Sequence, residues 1–223
     1  MNFIAIEGLD GAGKSTQVEL LRRHLQAHGI CCQYLHFPRA GTEIWGELVS
    51  KFLRGDFGKI DEVNPYLVAL IYAEDRRAAA AEIGAWLREG SFVIVDRYVY
   101  SNVAFQCAKV ADLAERAKLR DWILHLEYAH FKIPQPQLSL FLDVPFSFTQ
   151  KKLTEHRAGV GRQYLDGKQD IHEANLAFQQ AVREVYLAQL PLDASFRLIN
   201  CCAEDNAMHT PEHTFAQIKQ QLQ

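Results

Sequence analysis

The sequence predicts an α/β fold, a doubly wound parallel sheet of five strands flanked by helices. Three observations carry this expectation. Short apolar runs alternate with stretches of helical periodicity along the whole chain, the order expected of strand–helix–strand crossovers. The runs at 2–6, 92–95 and 138–142 are apolar at nearly every position rather than at every second one, which suits strands covered on both faces. The first run breaks into a glycine-rich turn and restarts as a helical pattern at Lys14, so a phosphate-sized cradle is expected at its end.

The 223 residues are 48% apolar and 23% charged, enough for one large domain, 1–223, with a substantial core. No repeat, low-complexity tract or interdomain linker interrupts it. A formal net charge of −3 argues against a dedicated nucleic-acid surface, which would be basic. No apolar run approaches the ~20 residues that span a bilayer, and the chain opens into a strand rather than a targeting leader. Its cysteines, Cys31-Cys32, Cys107 and Cys201-Cys202, lack the spacing of a zinc site. They read as reduced thiols of a cytoplasmic protein.

Taken in order, helix 14–28 carries Val18, Leu21 and Leu25 on one face and ends at Gly29. A second strand spans 31–37 and stops at Phe37-Pro38-Arg39. Helical spacing follows over 42–53, with Ile44, Leu48 and Phe52 on one side. Asn64-Pro65 opens a long helix to about Arg88, proline being favoured in a first turn. The third strand, 92–95, ends in Asp96-Arg97-Tyr98, and helices are expected over 101–108 and 111–128. The fourth strand is 138–143, followed by a helix over 145–155. Residues 156–168 are polar, with Gly159, Gly161 and Gly167, and are expected to form a mobile lid. A helix over 170–190, a fifth strand at 196–200 and a helix over 211–222 complete the chain.

Gly8, four residues, then Gly13-Lys14-Ser15 is the P-loop pattern. Glycines let successive backbone N–H groups turn inward as an anion nest, and the helix behind directs its positive end at the same point. Lys14 is expected at the β/γ-phosphates of a nucleoside triphosphate, and Ser15 on Mg²⁺. In such sheets ligands bind beyond the carboxyl ends of the strands, where Asp96 suits a carboxylate holding Mg²⁺. Arg39, Arg76 and Arg97 suit a phosphate acceptor, because the guanidinium fork bonds phosphate bidentately. Tyr72, one turn before Arg76, suits a stacked base. Arg22, Arg23 and Arg77 read as surface arginines.

These motifs resemble the thymidylate (dTMP) kinase family. The likeness rests on Gly8-Leu9-Asp10-Gly11-Ala12-Gly13-Lys14-Ser15-Thr16, Phe37-Pro38-Arg39, Asp75-Arg76, Asp96-Arg97-Tyr98, the segment Ser101 to Gln106, and Asp170-Ile171-His172-Glu173. It implies a nucleoside monophosphate kinase version of the P-loop NTPase sheet, transferring the ATP γ-phosphoryl group to dTMP in dTTP biosynthesis, often as a homodimer. It further implies that Asp10 accepts from the sugar 3′-hydroxyl and that Phe37 and Tyr72 sandwich the thymine. Arg76 and Gln106 would read its polar edge, and Arg97 would hold the acceptor phosphate with Arg39. Tyr98 and Asn102 join the substrate-binding set. Some members carry an arginine where this chain has Gly11; others supply it from the lid, where Arg157 and Arg162 are the candidates and Arg162 is favoured. Tyr164 and His172 both remain candidates to face the deoxyribose.

Rival readings fit less well. A deoxynucleoside kinase needs a carboxylate base after the second strand to deprotonate a neutral hydroxyl, but Phe37-Pro38 is followed by arginine. A UMP or CMP kinase is disfavoured by Asp-Arg-Tyr. A GTP-dependent switch would carry Asn-Lys-x-Asp, which is absent. A catalytically dead scaffold sits poorly with intact Lys14, Ser15 and Asp96.

Overall fold

Strand β1 (Phe3–Gly8) runs through the middle of a five-stranded parallel sheet. It lies between β3 (Phe92–Asp96) and β4 (Leu138–Asp143), with β2 (Cys32–His36) and β5 (Phe196–Asn200) at the edges. The computed structural model describes residues 1–154 and 176–222. The order β2–β3–β1–β4–β5 makes the carboxyl end of β1 a point where the chain winds off in both directions, the usual place for a ligand crevice. Register aligns the strand ends: His36 pairs with Asp96, and Asp96 with Ile6.

Successive strand residues point to opposite faces, and each face has its own core. Phe3, Ala5, Val93, Val95 and Phe141 pack under α3 (Pro65–Arg88), α4 (Val99–Cys107), α5 (Leu113–Leu124) and α7 (Leu176–Leu187). Ile4, Ile6, Ile94, Leu140 and Leu142 pack under α1 (Lys14–Ala27) and α8 (Pro211–Gln221). Among the described residues the remaining α-helices are α2 (Trp45–Leu53) and α6 (Phe146–Thr154). β1 and β3 are buried throughout, whereas Arg197, Leu198 and Asn200 of the edge strand β5 face solvent. Among the described residues no helix is long and apolar enough to cross a membrane.

Helix ends follow local chemistry. The Asn64 side chain accepts from the Tyr66 N–H at the start of α3, with Pro65 in the first turn. Asp112 caps α5 through the Glu115 N–H.

Two helices differ from expectation. The stretch after β2 becomes helical only at Trp45, because Ile44 holds φ +62° and the Thr42 N–H closes a turn on the Arg39 carbonyl. Its buried face is therefore Val49, Phe52 and Leu53, while Ile44 is 63% exposed. The helix expected over 111–128 instead leaves α5 through a π-helical turn, His125–His130, within which Glu127 is buried.

Gly46 lets α2 approach the loop that carries Arg39. A Cβ there would stand 2.3 Å from the Arg39 carbonyl oxygen and 2.7 Å from Thr42 Oγ1. Since a backbone carbonyl must move to relieve this, Gly46→Ala is expected to cost about 1–3 kcal/mol. Urea unfolding reads the loss, and an unchanged midpoint would refute the close approach.

Candidate active site

The turn after β1 has the backbone geometry that suits an anion. Gly8 has φ +156°, and a Cβ there would meet the Ala12 Cβ at 3.2 Å and the Leu142 carbonyl at 3.3 Å. Gly13 at φ +81° stands immediately before α1, and no side chain caps that helix. The first-turn N–H groups are thus left to a ligand. Lys14 Nζ donates to the carbonyls of Leu9 (2.9 Å) and Gly8 (3.3 Å). Burial, with Arg97 adding to it, pushes the Lys14 ammonium down to about 8, against the pull of Asp96, Asp10 and Glu7. Ser15 and Thr16 are exposed at the start of α1.

At the end of β3, Asp96 is buried, with His36 Nδ1 3.5 Å from Oδ2. Its Oδ1 has no hydrogen-bond partner among the described residues. Burial raises this carboxyl, but His36, Lys14 and Arg97 together hold it below its ordinary value. A buried anionic oxygen near Lys14 suits a magnesium ion carried by a triphosphate, which takes one or two protein oxygens; Asp96 and Ser15 are the residues that would hold it.

Arg97 adopts φ +67°, a left-handed conformation that costs an ordinary residue roughly 1–3 kcal/mol. It donates from Nη2 to Asp10 Oδ1 at 2.7 Å and from Nη1 to Ser101 Oγ at 3.2 Å. Asp10 also accepts from Gln179 on α7. Beneath them lies Glu7, wholly buried, which accepts from the Tyr98 N–H (3.0 Å), the Ser101 hydroxyl and the Tyr186 hydroxyl (3.1 Å). Burial raises the Glu7 carboxyl above its ordinary value, and Ser101, Arg97 and the Tyr98 N–H offset only part of that.

The other wall comes from β2, α3 and α4. Arg39 is tied to Asp75 by its N–H and Nε to the carboxylate, both at 2.9 Å, and by Nη2 to the backbone carbonyl at 2.7 Å. Arg76 is buried and grips Glu127 through Nε and Nη2, leaving Nη1 without a partner among the described residues. Asn102 donates to Glu127 Oε1 and to the Ala69 carbonyl, both at 3.0 Å. Its Oδ1 is buried with no partner among the described residues. Tyr72 is half-buried, edge-on to Phe52. Phe37 is only 1% exposed, packed against Tyr98 with the Arg39 guanidinium over its ring. Phe37 thus packs within the core, while Tyr72 is half-buried beside Phe52.

The structure therefore gathers Asp10, Lys14, Asp96 and Arg97 at the carboxyl ends of β1 and β3, with Arg39 after β2 and Tyr72 on α3 beside Phe52. Arg22, Arg23 and Arg77 lie on the surface, paired with Glu19 or Glu74. Arg157, Arg162, Tyr164, His172 and the lid expected over 156–168 lie outside the described residues. Sequence reasoning missed Glu7 and Glu127. The signal for Glu7 was a lone carboxylate closing an apolar strand; nothing near Glu127 announced its partner, 51 positions away.

A glycine nest on the central parallel strand, facing arginines from the neighbouring strands, defines a P-loop nucleotide kinase, a phosphotransferase. The chain belongs to the thymidylate kinase family, whose profile matches residues 6–210. The thymidylate kinase of Mycobacterium tuberculosis is 32% identical over 184 residues, 82% of this chain and 83% of that one. The thymidylate kinase of Homo sapiens is 32% identical over 193 residues, 86% and 82% of the two chains. A solved thymidylate kinase from Candida albicans shares the fold, with a TM-score of 0.73 over 98% of this chain and 89% of that one at 24% identity.

Glu7→Gln tests the floor of the site. An amide offers one acceptor oxygen where the carboxylate offers two, so one of the three donors faces an N–H₂ group. The variant is expected to lose roughly 1–3 kcal/mol, seen as a lower melting temperature. A melt superimposable on that of the unaltered protein would remove Glu7 from this role.

Proposed function

We propose that this site transfers the γ-phosphoryl group of ATP to the phosphate of dTMP, giving dTDP and ADP. The observation that carries this reading is the Asp10–Arg97 contact: a guanidinium suited to an acceptor phosphate is held at 2.7 Å by a residue of the triphosphate loop itself. Donor cradle and acceptor grip thus share one mouth. ATP lies in the nest of residues 8–16, and Lys14 exchanges the Gly8 and Leu9 carbonyls for the β/γ-phosphates. Ser15 and Asp96 would hold a magnesium ion, which would supply neutralisation of phosphate charge there. Catalysis in phosphoryl transfer is mostly positioning and electrostatic stabilisation, which are the tasks left to these side chains.

On the acceptor side, Arg97 and Arg39 hold the dTMP phosphate and Asp10 accepts from the sugar 3′-hydroxyl. Tyr72 stacks on the base, with Phe37 and Tyr98 behind. Thymine presents a carbonyl beside a ring N–H, and the spare Nη1 of Arg76 with the unpartnered Oδ1 of Asn102 offers the complementary donor and acceptor; Gln106 completes that edge. Arg162 from the lid is proposed to cover the transferred group. The protein acts as a cytoplasmic homodimer with no nucleic-acid or membrane partner.

ATP consumption against a panel of dTMP, dUMP, UMP, CMP, AMP and thymidine tests the reading. Turnover should be highest with dTMP; a preference for a ribonucleotide or for thymidine overturns it. Arg97→Ala should cost on the order of 2–5 kcal/mol in kcat/KM for dTMP, the scale for stripping one member from a buried charge pair. ATP affinity should hold. Parallel weakening of both substrates would assign Arg97 a structural part instead.

A further inference from the structure

Lys109 lies just beyond α4, where a surface lysine would normally extend into water. Instead its backbone N–H closes on the Gln106 carbonyl at 3.2 Å, and its side chain folds back across the last turn of the helix. There Nζ donates to Gln106 Oε1 at 2.7 Å and sits 4.6 Å from the centre of the Phe52 ring. Phe52 in turn meets Tyr72 edge-on, with ring centres 6.5 Å apart. The ammonium thus lies within the cluster that holds the base-facing aromatic. Burial pushes it down to about 7, while the face of Phe52 favours the cation.

The Gln106 side chain is buried. In its charged form Lys109 has only donors, so it demands the amide oxygen and turns Nε2 the other way. That Nε2 makes no hydrogen bond among the described residues. We infer that Lys109 is a specificity-determining positioning residue: it locks the Gln106 amide so that an N–H₂ donor faces the acceptor base, favouring a carbonyl-bearing pyrimidine edge over an amino-bearing one. The inference rests on the proposed dTMP site. Thymine and uracil carry an oxygen where cytosine carries an amino group, and an amide free to flip would serve either. With its oxygen held by Lys109, the amide sets donor against donor when cytosine enters.

The test compares kcat/KM for dTMP and dCMP, with dCMP also measured as a competitive inhibitor of dTMP turnover. Lys109→Met keeps the bulk of the side chain and removes the charge; it should shrink the dTMP-over-dCMP preference roughly tenfold, the scale of one misplaced polar contact. The loss should lie in KM for dTMP more than in kcat, and Lys109→Arg should restore the preference. Adding Gln106→Ala to Lys109→Met should shrink it no further than Gln106→Ala alone. Should Lys109→Met fail to fold, Gln106→Glu carries the test: it keeps the lysine contact, presents an oxygen to the base, and should move the preference toward dCMP. Equal losses on both nucleotides, an unchanged ratio, or no shift for Gln106→Glu overturns the inference while leaving the dTMP assignment standing. A wild-type enzyme that does not use dTMP overturns both.

Discussion

A single buried carboxylate underlies the arrangement of this site. Glu7 closes the central strand, and its oxygens take donors from the chain after β3, from α4 and from α7. A charge removed from water is tolerated only when fully hydrogen-bonded, so these three segments are bound to one geometry. The Tyr98 N–H fixes the turn in which Arg97 takes its left-handed backbone, and Ser101 links Glu7 directly to the Arg97 guanidinium. Tyr186 delivers its hydroxyl while its ring stacks on Phe141, 4.6 Å away. The apolar core and the polar floor are thus joined through one side chain.

The crevice walls follow the same logic of opposed charges. Asp10 and Arg97 pair across the mouth, Asp75 takes three bonds from Arg39, and Glu127 takes two from Arg76. Each guanidinium is oriented by a carboxylate of the chain itself. The planar fork retains donors beyond those used by its carboxylate, so orientation does not exhaust the group.

Much of this was legible in the sequence because it depends on local pattern. The strands announced themselves as apolar runs, and the long helix by Asn64-Pro65. The loop at Gly8 to Ser15 needs glycines wherever it occurs. Arg97 and Asp96 were visible as polar residues directly after an apolar strand. Illegible features depended on partners far away in the chain. Helical spacing marked Ile44 as a buried position, but a positive φ at that residue delays the helix and leaves it in water. The packing of Phe37 against Tyr98 likewise had no local signal. No local pattern could show that Glu127 turns inward through a π-helical turn to meet Arg76.

The contacts that define the two sides of the crevice differ greatly in sequence span. The triphosphate loop is contained within residues 8–16. Asp10, by contrast, meets Arg97 across 87 positions and Gln179 across 169, and Glu7 waits for Tyr186, 179 positions downstream. Long-range closures form late, because loop entropy must be overcome before the contact rewards it. The loop from Gly8 to Thr16 needs no such closure within itself. The Asp10–Gln179 and Glu7–Tyr186 contacts form only when α7 docks, so the floor of the crevice is completed by the last third of the chain.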